Sequence, residues 1–236
     1  NLLFDCATVG VISLGIVCVL MLGEIDLSVG SMSGLASALI GVLWANAGVS
    51  LPLAILAALA CGALIGAVYA LLYNRLGMPS FVSTLSGLLA ILGLQLYILG
   101  PTGSINLPFA SPLVGFGQLW ILPQWASYLL GLLPGAVMVW VGLSVMKQRQ
   151  AAGLSSQPLT RLVLKAAALT VALEGAIYYL HLGRGVPVMF ALFVLLAVIL
   201  NYGLTRTQWG RSMFAVGGNK EAARRSGINV RRIYLS

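Results

Sequence analysis

Long apolar runs broken by short polar stretches make up this chain from end to end. Seven runs stand out, at about 6–23, 29–46, 51–73, 80–99, 126–146, 166–182 and 187–204. Each approaches the roughly 20 residues that an α-helix needs to cross a hydrocarbon core about 30 Å thick. Helices suit lipid because each satisfies its own backbone hydrogen bonds. A membrane barrel would instead alternate polar and apolar residues over ~10-residue segments, a pattern not found here. The reading is all-α: a polytopic transmembrane bundle of about seven spans. Turn and charge signals mark the breaks, among them Glu24-Ile25-Asp26-Leu27-Ser28, Asn46 to Pro52 and Asn74 to Pro79. A Gly/Pro-rich loop is expected over 100–125 and a basic loop over 147–165. His181 to Pro187 is a tight connection, and the chain is polar over 205–236.

Composition strengthens this picture. Hydrophobic residues make up 60% of the 236 and charged ones only 8%, with a mean hydropathy of +1.01. A water-soluble domain of this size needs far more charge on its surface. The net charge of +8 is a matter of topology, not of nucleic-acid binding. If each run crosses once, all of the 13 lysines and arginines except Arg184 fall on one side. The positive-inside rule makes that side cytoplasmic. The extracytoplasmic loop is then 100–125, and the basic loop and the tail lie inside. This topology puts Asn1 outside, and Arg231 to Ser236 turns apolar again. The sequence therefore reads as an internal fragment of a longer protein, with one transmembrane domain over 1–236. A reading frame that starts at Asn1 and stops at Ser236 would refute that expectation. Cys6, Cys18 and Cys61 lie in apolar runs and read as small buried hydrophobes.

Ala58, Gly62, Gly66 and Ala70 recur every four residues in the third run, as do Gly30, Gly34 and Ala38 in the second. Small residues at that spacing let helix backbones approach closely in lipid; lining a pore is the sharper alternative. Two stretches carry more chemistry. In Gly23 to Ser31, carboxylates and hydroxyls sit between apolar runs, where charge is costly unless solvated or paired. Asp26 or Ser28 can cap a helix that starts near Val29, or the break can separate half-helices lining a polar cavity, as in transporters. In Ala215 to Val230, Asn219 is a good N-cap, Glu221 suits a first turn and Arg224 and Arg225 a last turn. Gly227 suits a left-handed stop. A helix of about two turns outside the membrane is expected there, against a solvated basic loop.

These stretches carry a resemblance. Glu221-Ala222-Ala223-x-x-x-Gly227 resembles the EAA-type cytoplasmic loop of ATP-binding cassette (ABC) importer permeases. "EIDLSVGS" at 24–31 and "AVGGNKEAARRSGINV" at 215–230 together resemble the ribose/xylose family of bacterial sugar permeases. The spans and basic loop between about 126 and 182, and the run "MPSFVSTLSGLLA" at 78–90, are most similar to its xylose branch. The resemblance covers essentially the whole chain. It implies a multi-pass permease subunit of a bacterial inner membrane that imports a monosaccharide, xylose or a similar pentose. It further implies a homodimer with a second permease copy, a periplasmic sugar-binding protein outside and a cytoplasmic ABC ATPase inside. The short helix would couple to that ATPase through Asn219, Glu221, Ala222, Ala223 and Gly227. ATP and magnesium would belong to the ATPase, with no cofactor or metal in this chain, and membrane lipid would be the other partner.

Glu24, Asp26, Ser28, Thr84 and Gln95 are the candidates for a translocation pathway, since sugars need hydrogen-bonding groups. Capping and cross-helix hydrogen bonding are the plainer roles. Glu174, in the middle of the sixth run, is a membrane carboxylate and so a functional candidate by default. His181 has no cysteine or carboxylate pair near it in sequence. No GxxxxGK[ST] loop is present, so ATP is not bound in the Walker manner, and Gly30-Ser31-Met32-Ser33-Gly34 is not a GxSxG nucleophile elbow. The chain reads as a translocation subunit, not an enzyme. The alternative is an ion-coupled secondary transporter using Glu24, Asp26 or Glu174, which has no reason to carry an EAA-like helix. A membrane scaffold explains neither that helix nor the acidic break.

Overall fold

Apolar runs of this length have one low-energy form in lipid, and the computed structural model, which describes residues 2–155 and 158–236, is built of helices. The first four are α1 (Leu2–Met21), α2 (Val29–Gly41), α3 (Leu51–Leu76) and α4 (Ser80–Leu99). After the three-residue α5 (Pro112–Val114) come α6 (Gln124–Ala151), α7 (Leu159–His181) and α8 (Val188–Arg206). Three short helices close the chain: α9 (Gln208–Gly218), α10 (Lys220–Arg225) and α11 (Val230–Leu235). α2 continues as a π-helical turn over Val42–Asn46, and with that extension seven helices among the described residues are long and apolar enough to cross a membrane.

The expected loops are more helical than their polarity suggests. Among the described residues of the basic stretch 147–165, only 152–155 and 158 lie outside helix, because α6 runs on to Ala151 and α7 starts at Leu159. Lys147, Arg149, Arg161 and Lys165 are good helix formers, and their long stems keep the charge in water while the helix continues beyond the apolar layer. The 100–125 stretch holds a 3₁₀ turn at Gly100–Thr102, α5 and a π turn at Gly115–Leu119.

The chain folds as two compact units. One comprises the residues up to Ala7 and Pro112–Leu192. Its centre is the α6–α7 hairpin, in which glycines of α6 receive side chains of α7. An added Cβ at Gly131 would meet Ile177 and Glu174, at Gly135 Thr170, and at Gly142 Leu162. This is close helix approach through small residues. Beside the hairpin, the Leu122 amide donates to the Val186 carbonyl (2.8 Å) and the Val188 amide to the Trp120 carbonyl (3.0 Å). That pairing joins residues 120–122 to residues 186–188, as links on the same side of the membrane require.

The other unit comprises Thr8–Ser111 and Phe193–Ser236. Here α2 packs against both α3 and α4. Leu35 is fully buried, Ala38 nearly so, and Gly34 lies under the Gln95 side chain. The small-residue stripe of α3 packs at two positions and borders a cavity at the two between them. Ala58 and Ala70 are buried, while Gly62 and Gly66 border a cavity of about 330 Å³ lined also by Asp26, Ser28 and Tyr69. At one end of this unit the α1–α2 link, the α3–α4 link and the tail come together, again the same-side arrangement that single crossings require.

Candidate coupling site

Two polar stretches almost 200 residues apart, Gly23–Ser31 and Ala215–Val230, meet at this end. Local chemistry shapes each of them first. α1 stops at Met21, and Gly23 turns the chain with φ +77°. Asp26 Oδ1 then accepts from both the Ser28 amide (2.8 Å) and the Ser28 hydroxyl (2.7 Å). The expected side-chain cap on α2 is therefore absent: Ser28 occupies the N-cap position, but its hydroxyl is turned back to Asp26. Aspartate hydrogen-bonds its own backbone two residues on very readily, and that local turn wins. Ser28 is 2% exposed and Asp26 half-buried.

The tail folds as the capping rules require. Asn219 Oδ1 accepts from the Ala222 amide at 3.0 Å and starts α10. At the other end Gly227 has φ +87°, a conformation that costs glycine nothing. Its amide donates to the Arg224 carbonyl (3.1 Å) and the Ile228 amide to the Ala223 carbonyl (3.0 Å). These two bonds are the Schellman closure, with Ile228 packed beneath. Glu221, Ala222, Arg224 and Arg225 are exposed, and Glu221 pairs with Arg224 at 3.0 Å. Ala223 is different. It is 2% exposed and forms a small core with Val216 and Val230, against which Leu22, Ile233 and Tyr234 pack. Of the five residues expected at this site, Ala223 holds α10 down while Glu221 and Ala222 face out.

The expected residues omit Lys220, which is the link between the two stretches. Its Nζ donates to Glu24 Oε1 at 2.6 Å and to the Tyr73 hydroxyl at 2.7 Å. Glu24 accepts as well from the Tyr234 hydroxyl on Oε1 (2.8 Å) and from the Ser80 hydroxyl on Oε2 (2.5 Å). Tyr73 and Tyr234 stack at 4.3 Å between centroids, and the ammonium lies 5.1 and 5.3 Å from the two ring centres. Burial by itself would raise the Glu24 carboxyl, but the hydrogen bonds from Lys220, Ser80 and Tyr234 outweigh it and hold the group below its ordinary value. Burial likewise disfavours the Lys220 ammonium, and Glu24, Tyr234 and Tyr73 reverse the balance and raise it. Glu24 is thus a structural anion in an ion pair.

The remaining expected residues lie in the same unit. Thr84, 4% exposed, donates to the Ser80 carbonyl at 2.8 Å and to the Ile25 carbonyl at 3.3 Å. It borders a cavity of about 400 Å³ with Glu24, Asp26, Tyr69, Tyr73 and Ser83. Gln95 is not part of that group; it lines a separate cavity of about 230 Å³ with Ser37 and Ser104. Glu174 belongs to the other unit, on the α6–α7 hairpin, where its Oε1 is buried without a hydrogen-bond partner.

Comparison with known proteins gives one consistent result. The family described as "Branched-chain amino acid transport system / permease component" matches residues 1–236. The xylose transport system permease protein XylH of Escherichia coli (strain K12) is 38% identical over 238 residues, covering 100% of this chain and 59% of that protein. The protein of the same name from Haemophilus influenzae is 34% identical, covering 100% of this chain and 62% of its own length. The autoinducer 2 import system permease protein LsrC of Enterobacter sp. (strain 638) is 31% identical, covering 94% and 46%. The chain thus spans about three-fifths of the length of the first curated relatives it matches. No solved structure matches it.

Proposed function

The chain belongs to this family of transport-system permease components, multi-pass proteins of the bacterial inner membrane, and from that premise we propose that it is the translocation subunit of an ABC importer for a monosaccharide, xylose or a close pentose. It carries out no hydrolysis itself. ATP and magnesium are bound by a separate cytoplasmic ATPase, a periplasmic binding protein delivers the sugar, and a second permease copy completes the pathway. The observation that carries this reading is α10. A six-residue helix closed at both ends, mounted outside the spans with Glu221, Ala222, Arg224 and Arg225 exposed, has the form of a docking knob. A short rigid helix passes on a partner's movement as a rigid-body displacement. Support for a sugar comes from the relatives, two of which are xylose transport system permease proteins.

The mechanism follows as alternating access. Closure of the ATPase pushes α10, and the spans respond by opening and closing a pathway for which Asp26, Ser28, Thr84 and Gln95 remain the candidate contributors, while Glu24 is taken up by its ion pair. The ion-coupled alternative is disfavoured by Glu24 itself. A carboxyl held below its ordinary value by an ammonium does not change charge near neutral pH, so it does not serve as a proton carrier there. The test is uptake of labelled xylose by cells that carry the intact transporter. Uptake is expected to stop when ATP is depleted with the proton gradient preserved, and to survive collapse of the gradient with ATP preserved. Gradient-driven uptake without ATP would overturn the proposal.

A further inference from the structure

The network around Glu24 exceeds what an ordinary surface ion pair requires. Exposed pairs contribute little and need hold nothing together. Here the Glu24 side chain is 14% exposed and takes donors from three elements distant in sequence: Ser80 at the start of α4, Lys220 in α10 and Tyr234 in α11. Lys220 also reaches Tyr73 near the end of α3. One ammonium and one carboxylate therefore fasten the short helix to the α1–α2 break and to the adjoining ends of two spans. The backbone repeats this attachment. An added Cβ at Gly217 would collide with the Met21 carbonyl oxygen, so α9 lies directly on the last turn of α1. The two faces of α10 are thus divided in role, with Glu221 and Arg224 outward and Lys220 and Ala223 inward.

We propose that the Glu24–Lys220 pair, clasped by Tyr73 and Tyr234, is the transmission joint of this subunit, turning displacement of α10 into movement of the α1–α2 break and the facing ends of α3 and α4. The proposal rests on the importer reading above. Lys220 and Glu24 are positioning residues, since they join the docking helix to the spans. Coupling needs an element whose position two sites both bias. Within this unit the joint supplies one: four hydrogen bonds and a stacked ring pair resist slack, so α10 does not move without carrying the α1–α2 break along.

The test uses the full-length permease assembled with its ATPase and binding protein, and reads sugar taken up per ATP hydrolysed. Lys220→Met alone leaves a part-buried carboxylate unpaired, which can cost folding. The informative variants are therefore Glu24→Gln with Lys220→Met, which removes both charges, and Glu24→Lys with Lys220→Glu, which reverses them. The neutral pair is expected to assemble and hydrolyse ATP while uptake per ATP falls about tenfold. The reversed pair is expected to recover a substantial part of that loss. A neutral pair with wild-type uptake per ATP would overturn the joint. A second readout is independent of transport: hydrogen exchange at the α10 amides is expected to rise in the neutral pair and to return towards wild type in the reversed pair. Unchanged exchange in the neutral pair would also overturn the joint. If wild-type protein shows no ATP-driven uptake, the importer reading fails, and the exchange result still judges whether the pair holds α10.

Discussion

The attachment of α9 to α1 makes a quantitative prediction at Gly217. Alanine there brings two opposing effects. Intrinsic helix propensity favours alanine over glycine by about 1 kcal/mol. Against it, the new Cβ would lie inside contact with the Met21 carbonyl oxygen, 3.0 Å from the Met21 carbonyl carbon and 3.4 Å from Leu22 Cα. All three are backbone atoms, so no side-chain rotation relieves the clash and α9 must move away from α1. Forced overpacking of this kind costs about 1–3 kcal/mol. The steric effect therefore exceeds the propensity gain, and Gly217→Ala is expected to loosen the tail by up to about 2 kcal/mol.

Gly218→Ala is the matched control. It lies one residue along the same helix, and an added Cβ there has no atom within 4 Å. The assay is hydrogen exchange over residues 208–236 in the full-length permease, with thermal unfolding alongside. A loosening of about 1.4 kcal/mol corresponds to about tenfold faster exchange by local opening. Gly217→Ala is expected to speed exchange through α9 and α10, whereas Gly218→Ala leaves it unchanged or slows it. Equal protection in the two variants would refute the close approach and with it the rigid mounting of α10.

Asn219→Ala removes the cap of α10 at a cost of about 1 kcal/mol; faster exchange at the Ala222 amide checks this, and Asn219→Asp should restore protection. pH acts on the joint in both directions. The lowered Glu24 value gives stability that is present above its unfolded pKa of about 4.3 and lost as pH falls through the folded value; the raised Lys220 value gives stability that is present below about 10.4 and lost as pH rises through the folded value. The protection factor of the α10 amides, that is the intrinsic exchange rate at each pH divided by the observed one, is therefore expected to be flat from about pH 5 to 10, with an acid-side fall that Glu24→Gln abolishes. On the α6–α7 hairpin, Gly135→Val collides with Thr170 and should lower the unfolding temperature through about 1–3 kcal/mol of overpacking, whereas Gly175→Ala meets no atom within 4 Å and should be tolerated.

The spans were legible because hydrophobicity in lipid is read over long windows, and no short feature can reverse it. Their ends were less so. Lys147, Arg149, Arg161 and Lys165 mark water by charge and helix by propensity, and charge hid the helix. α9 was overlooked for a related reason. Thr207, whose hydroxyl accepts from the Gly210 amide, is a cap signal, and Trp209, Met213 and Val216 fall on one helical face. Gly217 and Gly218 read as breakers, yet at Gly217 contact with α1 requires a residue without a side chain, and that requirement is tertiary.

The stretch Asn219–Gly227 was the most legible part of the site because its signals are local. Caps, first-turn acid and left-handed glycine all act within a few residues, and the structure returns each in place. Lys220 lay within the same stretch and carried no local signal, since any lysine suits an exposed helix. Part of its role was nevertheless implicit in the charge pattern. Only five acidic residues occur in the chain, and two of them sit in the break at 24–26, on the side where almost every cation is found. A carboxylate left there between two spans is costly unless solvated or paired. The sequence therefore left Glu24 to be either solvated or paired, and with twelve cations on that side and the partner 196 residues away, only the fold could select it. That asymmetry separates the two faces of α10. The outward face of α10 is written in a local motif, while the face that grips this chain's own spans depends on contacts that form only when the tail folds back on them.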